Sequence, residues 1–167
     1  NLASHYIFKA SYAEAEPLLQ RSLKIYEKAL GAEHPNIAPV LNNFAIVYDN
    51  KGDYAKEEQF LKRALTLQEK GLGGEHPSIT ANLNTLGLLY NKQGRYAEAE
   101  PLYKRSLAIK EKILGPEHPD VALILHNLAS LYDNQGRYAE AETLYKRSLT
   151  LYEKAFGPEH TDVATSL

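Results

Sequence analysis

The chain repeats itself every 42 residues, and a fixed period of that length points to a repeat architecture before any residue-level reading begins. Tyr12, Tyr54, Tyr96 and Tyr138 keep this spacing. So do Gly52, Gly94 and Gly136, and the Glu-His pairs that begin at Glu33, Glu75, Glu117 and Glu159. Residues 77–118 laid on residues 119–160 agree at 25 of 42 positions.

Each period holds two helical patterns. In the first, Leu83, Leu86, Gly87 and Tyr90 fall at i, i+3, i+4 and i+7, one face of a helix. Leu41, Phe44, Ala45 and Tyr48 repeat the pattern, as do Leu125, Leu128, Ala129 and Tyr132. This helix is predicted to stop at Gly52, Gly94 or Gly136, residues suited to the left-handed position just past a helix end. The second helix begins at the Tyr that follows. Ala99, Leu102, Tyr103, Ser106 and Leu107 line one of its faces, and small Ala99 and Ser106 admit a close neighbour. It runs out at Gly73, Gly115 or Gly157. Pro35, Pro77 and Pro119 are expected to open the next helix, where a missing N–H does no harm.

A lone helical hairpin cannot bury both its faces, so neighbours must stack. The expected fold is all-α: an α-α superhelix, or solenoid, of stacked antiparallel helix pairs with a concave and a convex wall. Residues 1–167 read as one array of about four repeats, cut in mid-helix at both ends. The sequence contains no Met and is read as part of something longer. Neighbouring repeats or self-association are expected to cover the apolar cut faces.

The order Leu83, Leu86-Gly87, Tyr90, Gly94-Arg-Tyr96, Ala99, Tyr103, Ser106 resembles the tetratricopeptide repeat. The longer period, with Ala97-Glu-Ala-Glu-Pro-Leu-Tyr-Lys-Arg-Ser-Leu107 and Leu114-Gly-Pro-Glu-His-Pro119, is similar to the kinesin light chain class. The resemblance implies a concave surface made by the first helix of each pair, binding extended peptide segments of protein partners. Four positions depart from the pattern. Ala10 stands in a Gly position, which predicts a distorted turn. Glu57 replaces the small Ala of Ala15, Ala99 and Ala141, which predicts either an outward tilt or a splayed hairpin. Pro39 falls in the first turns of a helix and should delay its start. Thr161 replaces Pro in the last turn.

Opposite the Leu–Tyr stripe, the first helices carry Asn42, Asn43, Ile46, Asp49 and Asn50, then Asn84, Thr85, Leu88, Asn91 and Lys92, then His126, Asn127, Ser130, Asp133 and Asn134. An Asn amide both donates and accepts, so it can pair with a peptide backbone whatever that peptide's side chains. Asn43 and Asn127, with Asn1 in phase, match the groove asparagines of the kinesin light chain class, and Thr85 breaks the series. These asparagines are expected to pack against nothing. One Lys, two Asp and one His make a poor clamp for acidic chain ends.

Other features give blander readings. Successive turn histidines His34, His76, His118 and His160 should lie about 10 Å apart, too far to share a metal ion. They are expected to cap a helix or bridge a turn, so no metal and no cofactor is predicted. The carboxylate pairs Glu14-Glu16, Glu57-Glu58, Glu98-Glu100 and Glu140-Glu142 recur with the fold period, which suits a solvated surface rather than a catalytic cleft. The Lys-Arg pairs at Lys62, Lys104 and Lys146 lie near Glu58, Glu100 and Glu142, so partial neutralisation is expected. Net charge is −2, which gives no electrostatic case for nucleic acid or an anionic membrane, and no run reaches a membrane span. With no Cys, disulfides and thiolate metal sites are out, in keeping with a reducing, cytoplasmic setting.

The functional expectation is a protein–protein interaction scaffold that holds a partner's peptide in its groove. The alternative is a regulatory array docking within a larger multidomain signalling protein, and an enzyme comes third.

Overall fold

The computed structural model describes residues 2–157, and the expectations resting on Asn1, Glu159, His160, Thr161 and the final helix end lie outside them. Among the described residues there are helices and turns and no strand. The helices are α1 (Leu2–Phe8), α2 (Tyr12–Leu30), α3 (Ala38–Asn50), α4 (Tyr54–Leu72), α5 (Ile79–Lys92), α6 (Tyr96–Leu114), α7 (Pro119–Asn134) and α8 (Tyr138–Phe156). Each second helix, α2, α4, α6 and α8, starts at its Tyr, runs 19 residues and is stopped by Gly31, Gly73, Gly115 or Gly157. A 3₁₀ turn occupies Pro35–Ile37 and α3 begins at Ala38. But α5 also starts late, at Ile79 with Pro77 left in the preceding turn, although no second proline follows there. Pro39 therefore does not by itself account for the delay, and Pro77 does not open its helix as expected. In α7, Pro119 is the first helical residue.

The chain divides into two compact units, Asn1–Asn82 and Leu83–Leu167. In the first, the stripe Leu41, Phe44, Ala45 and Tyr48 is buried, with Leu19, Ala64 and Leu67 packed in the same clusters. Phe60 of α4 stacks on Phe44 at 4.7 Å and on Tyr48 at 5.5 Å, with rings nearly parallel. In the second, Leu125, Leu128, Ala129 and Tyr132 are buried and Val121, Ala122 and Leu151 close the core. Ser106 and Ser148 are fully buried, and the Ser148 hydroxyl donates to the Ala122 carbonyl at 2.8 Å, which lets α8 lie close to α7 without an unmet polar group. Each fully buried Leu contributes roughly 1.5–3 kcal/mol by leaving water, so the stripes hold the hairpins together.

The two units repeat the same polar ties at the same spacing. The Tyr48 hydroxyl donates to Glu16 at 2.6 Å, and Tyr132 to Glu100 at 3.1 Å. Arg63 pairs with Glu27 and Arg147 with Glu111, both at 2.6 Å. Lys70 pairs with Glu33 and Lys154 with Glu117. All of these join a residue to one 32 to 37 positions earlier, so they fasten one helix pair to what precedes it.

The second helices α4, α6 and α8 start in two ways. Asp53 caps α4 directly, accepting from the Lys56 N–H at 3.2 Å. Arg95 and Arg137 have no capping oxygen. They grip Glu98 and Glu140 in the first turn, with both bonds at 2.7 Å in each case, and lie over the Tyr90 and Tyr132 rings at 4.1 and 3.7 Å.

Two departures resolve differently from expectation. Glu57 does not tilt outward: it is 5 % exposed, and the Phe44–Phe60 stack shows that α3 and α4 stay in close contact. The turn at Ala10 is not distorted. Ala10 adopts φ +55°, as Gly94 adopts φ +71°, and the following N–H closes the turn in the same way, Ser11 to the Tyr6 carbonyl and Arg95 to the Tyr90 carbonyl, both at 2.8 Å. Turn geometry overrides the residue here, and Ala10 bears the steric cost of a left-handed L-residue, about 1–2 kcal/mol. Ala10→Gly should therefore raise stability by about 1 kcal/mol in urea unfolding, and Gly94→Ala should lower it by about as much. Gln93→Ala, whose side chain only reaches Arg95, should cost less. Equal midpoints for the Gly94 and Gln93 variants would place the helix end elsewhere.

Candidate peptide-binding face

The first-helix residues opposite the packing stripe are not equivalent once placed. On α5 and α7 the asparagines pair. The Asn127 amide nitrogen donates to the Asn84 side-chain oxygen at 3.0 Å, and Asn134 donates to Asn91 at 3.0 Å. The expectation that these side chains pack against nothing is therefore corrected: Asn127 is only 9 % exposed, and its partner lies 43 residues away rather than one period. Helical geometry sets the two rungs, seven residues apart, about 10 Å from each other. That distance matches about three residues of an extended peptide. Each rung spends one donor and one acceptor internally and keeps an amide N–H₂ and a carbonyl for something else. Between the rungs lie Leu88, 41 % exposed, and Ser130, close to the Tyr145 hydroxyl. Thr85 is exposed beside them.

His126 sits next to this face but turns inward. Its ring meets Tyr145 edge-on at 5.2 Å, its Nδ1 is buried without a hydrogen-bond partner, and burial holds its pKa below the usual histidine range. A neutral imidazole there adds shape rather than charge.

On α3, the equivalent side chains differ. Asn42 is half-buried, with its Oδ1 lacking a hydrogen-bond partner among the described residues. Asn43 is half-buried in a shallow depression with Leu2, Val40 and Tyr26. Ile46 is 44 % exposed. Asn50 donates to the Ile46 carbonyl at 2.9 Å, so its amide serves its own helix.

The other candidates take structural roles. His34, His76 and His118 accept through Nδ1 from the backbone N–H groups of Asn36, Ser78 and Asp120 at 3.1, 3.2 and 3.1 Å. His118 caps α7 and His34 the 3₁₀ turn at Pro35–Ile37, while His76 bridges the turn before α5. No group of three or more potential metal-ligating side chains converges among the described residues. Of the acidic pairs, Glu16 is held below the usual carboxylate range by Lys51 and Tyr48, and Glu100 by Lys104 and Tyr132. A general acid needs the opposite shift. The basic stripe is neutralised in place: Lys62, Lys104 and Lys146 meet Glu58, Glu100 and Glu142 at 2.5, 2.6 and 2.5 Å.

Sequence reasoning missed Tyr145. It stands in the position of Leu61 and Tyr103, is half-buried, and meets the His126 ring edge-on.

Antiparallel helix pairs with a regular register, and no strand among the described residues, define an all-α helical-hairpin repeat fold. The tetratricopeptide repeat model matches residues 1–70, 78–154 and 132–167, and the chain belongs to that family. Its fold class is accordingly the α-α superhelix. Two crystal structures of a kinesin-light-chain-type protein from Podosopora anserina, with nearly identical TPR-like repeats, are similar at 30 % identity. One, a single-substitution form of that protein, gives a TM-score of 0.83 and the other 0.82, each over 99 % of this chain and 78 % of that one. BtubC (BKLC) from P. vanneervenii shares the fold at a TM-score of 0.87 and 20 % identity, over 99 % of this chain and 66 % of that one. No curated protein matches the chain. Tetratricopeptide repeats are in general protein–protein interaction modules, typically without enzymatic activity of their own. No helix among the described residues is long and apolar enough to cross a membrane.

Proposed function

We propose that the chain is an interaction scaffold that holds an extended peptide segment of a protein partner along the α5–α7 face. The observation that carries this reading is the pair of asparagine rungs, Asn84–Asn127 and Asn91–Asn134, with Leu88 and Ser130 between them. Polar pairs at that spacing suit a peptide backbone, and Leu88 offers one apolar contact for a side chain. Pairing also pre-orients the amides, so less entropy is lost when a ligand arrives. The neutralised Lys-Arg stripe supports a protein partner over a nucleic acid. The cysteine-free composition suits the cytoplasm.

The test uses a peptide selected against the 167-residue chain from a random display library, with affinity measured by calorimetry. Because Asn84 and Asn127 bond each other, both are replaced by Ala so that neither is left unpaired. The double variant should bind about two- to tenfold more weakly per peptide hydrogen bond lost, from a net of about 0.5–1.5 kcal/mol each. Lys104→Ala, on a second helix, is the control and should bind like the parent. Unchanged binding by the asparagine variant, with loss in Lys104→Ala, would move the ligand to the other wall.

A further inference from the structure

The spacing of the two asparagine rungs selects a backbone conformation for whatever lies across them. Asn84 and Asn91 are seven residues apart on α5, as Asn127 and Asn134 are on α7, so the rungs repeat at about 10 Å. In a β-strand every second residue faces the same way, at about 6.6 Å for two residues and about 13 Å for four. Neither fits the rungs. A polyproline II helix has three residues per turn and rises about 3.1 Å per residue, so residues i and i+3 face one wall about 9 Å apart. It also makes no internal hydrogen bonds, which leaves its N–H and C=O groups open to a partner.

Each rung has both kinds of group left to offer. Among the described residues, the amide nitrogens of Asn84 and Asn91 and the side-chain oxygens of Asn127 and Asn134 form no hydrogen bond, and none of them is sealed from water. A peptide residue that uses both groups of a rung must keep its own N–H, so it is not Pro. The two residues between rungs face elsewhere and are free to be Pro. One of them comes over Leu88, which is 41 % exposed and suits an apolar pyrrolidine ring. Charge complementarity points the same way. Between the rungs Thr85, Leu88 and Ser130 are neutral, and His126 beside them turns inward. Lys92 and Asp133 lie at the Asn91–Asn134 rung and are opposite in sign. A charged side chain seated between the rungs would lose water and gain no counter-charge.

Resting on the reading of the α5–α7 face as a peptide site, we infer that its ligand is an uncharged, proline-rich segment in the polyproline II conformation. Its repeating order is x-Pro-Pro, with x at each rung. Proline presets the backbone that the rungs require, so less conformational freedom is lost on binding.

Calorimetry on the 167-residue chain tests this with two twelve-residue peptides blocked at both ends, one repeating Ala-Pro-Pro and the other Ala-Gly-Gly. The proline peptide should bind at least about tenfold more tightly, because the glycine backbone has far more freedom to lose. Asn84→Ala with Asn127→Ala should weaken the proline peptide about two- to tenfold per hydrogen bond lost. Leu88→Asp, at a site exposed enough to leave the fold intact, should weaken it about tenfold by placing a charge under the apolar ring. A proline peptide that does not bind, that binds no better than the glycine peptide, or that ignores both variants overturns the inference. The library-selected peptide keeps the two readings apart. If it loses affinity in the asparagine variant while the proline peptide fails to bind, only the inferred conformation is wrong. If neither peptide responds to that variant, the peptide site itself is wrong as well.

Discussion

Replacing Gly87 with Ala should destabilise the chain by about 1–2 kcal/mol, although Ala is the better helix former. A Cβ at Gly87 would sit 2.8 Å from Cε1 and 2.9 Å from Cζ of Tyr103. Tyr103 has 0 % exposure, so the ring cannot swing into water to make room. Its hydroxyl is buried without a hydrogen-bond partner, and burial pushes its pKa well above the usual tyrosine value. Overpacking of this kind costs about 1–3 kcal/mol, and helix propensity returns at most about 1 kcal/mol. The measurement is the thermal midpoint, which should fall by about 2–8 °C for a chain of this size. The first unit supplies the rescue, because Ala45 and Leu61 stand in the same places and are 2 % and 1 % exposed. Tyr103→Leu added to Gly87→Ala should recover stability, with a coupling of at least about 0.5 kcal/mol between the two sites. A Gly87→Ala variant as stable as the parent would mean that the ring and the glycine are not matched in size.

Gln68→Leu should cost about 1–3 kcal/mol in urea unfolding, while adding a second substitution should recover most of the loss. Asn82 donates to the Gln68 side-chain oxygen at 2.8 Å, and the two residues are 2 % and 8 % exposed. Removing the acceptor alone leaves a buried amide with no partner and no water, the costly half of hydrogen-bond energetics. Removing both polar groups avoids that penalty. Val40 and Ile124 occupy the position of Asn82 in the neighbouring periods, so Asn82→Val fits the site. A double variant no more stable than Gln68→Leu would show that the amide pair shapes the packing itself.

Much of this fold was legible from one period of sequence. The apolar stripes and the Tyr starts of the second helices follow from spacing, because a helix turns its faces at a fixed rate whatever its neighbours do. The capping histidines were legible for a similar reason, since the bond closes within two residues, from His34 to Asn36. What spacing could not supply is which polar atoms meet across a gap. Asn84 finds Asn127 at an offset of 43, one more than the period, because neighbouring helices are displaced as well as repeated. Asn82 stands in phase with apolar Val40 and Ile124, so the periodic pattern gave no signal that its amide would meet Gln68. Ala10 misled for the opposite reason: the sequence marks the residue, but hydrogen bonds on either side of the turn decide its conformation.

The constant offsets of the polar ties bear on how such a chain can change length. Arg63 reaches Glu27 and Arg147 reaches Glu111 across the same 36 residues, and Lys70 reaches Glu33 as Lys154 reaches Glu117 across 37. Duplicating or excising one whole period keeps each donor opposite an equivalent acceptor. Inserting a single residue in a helix breaks the match for every tie that spans it and rotates the apolar stripe by about 100°. Growth and loss by unit duplication and unit excision are therefore the low-cost evolutionary moves for this sequence, and point insertions are confined to the turns.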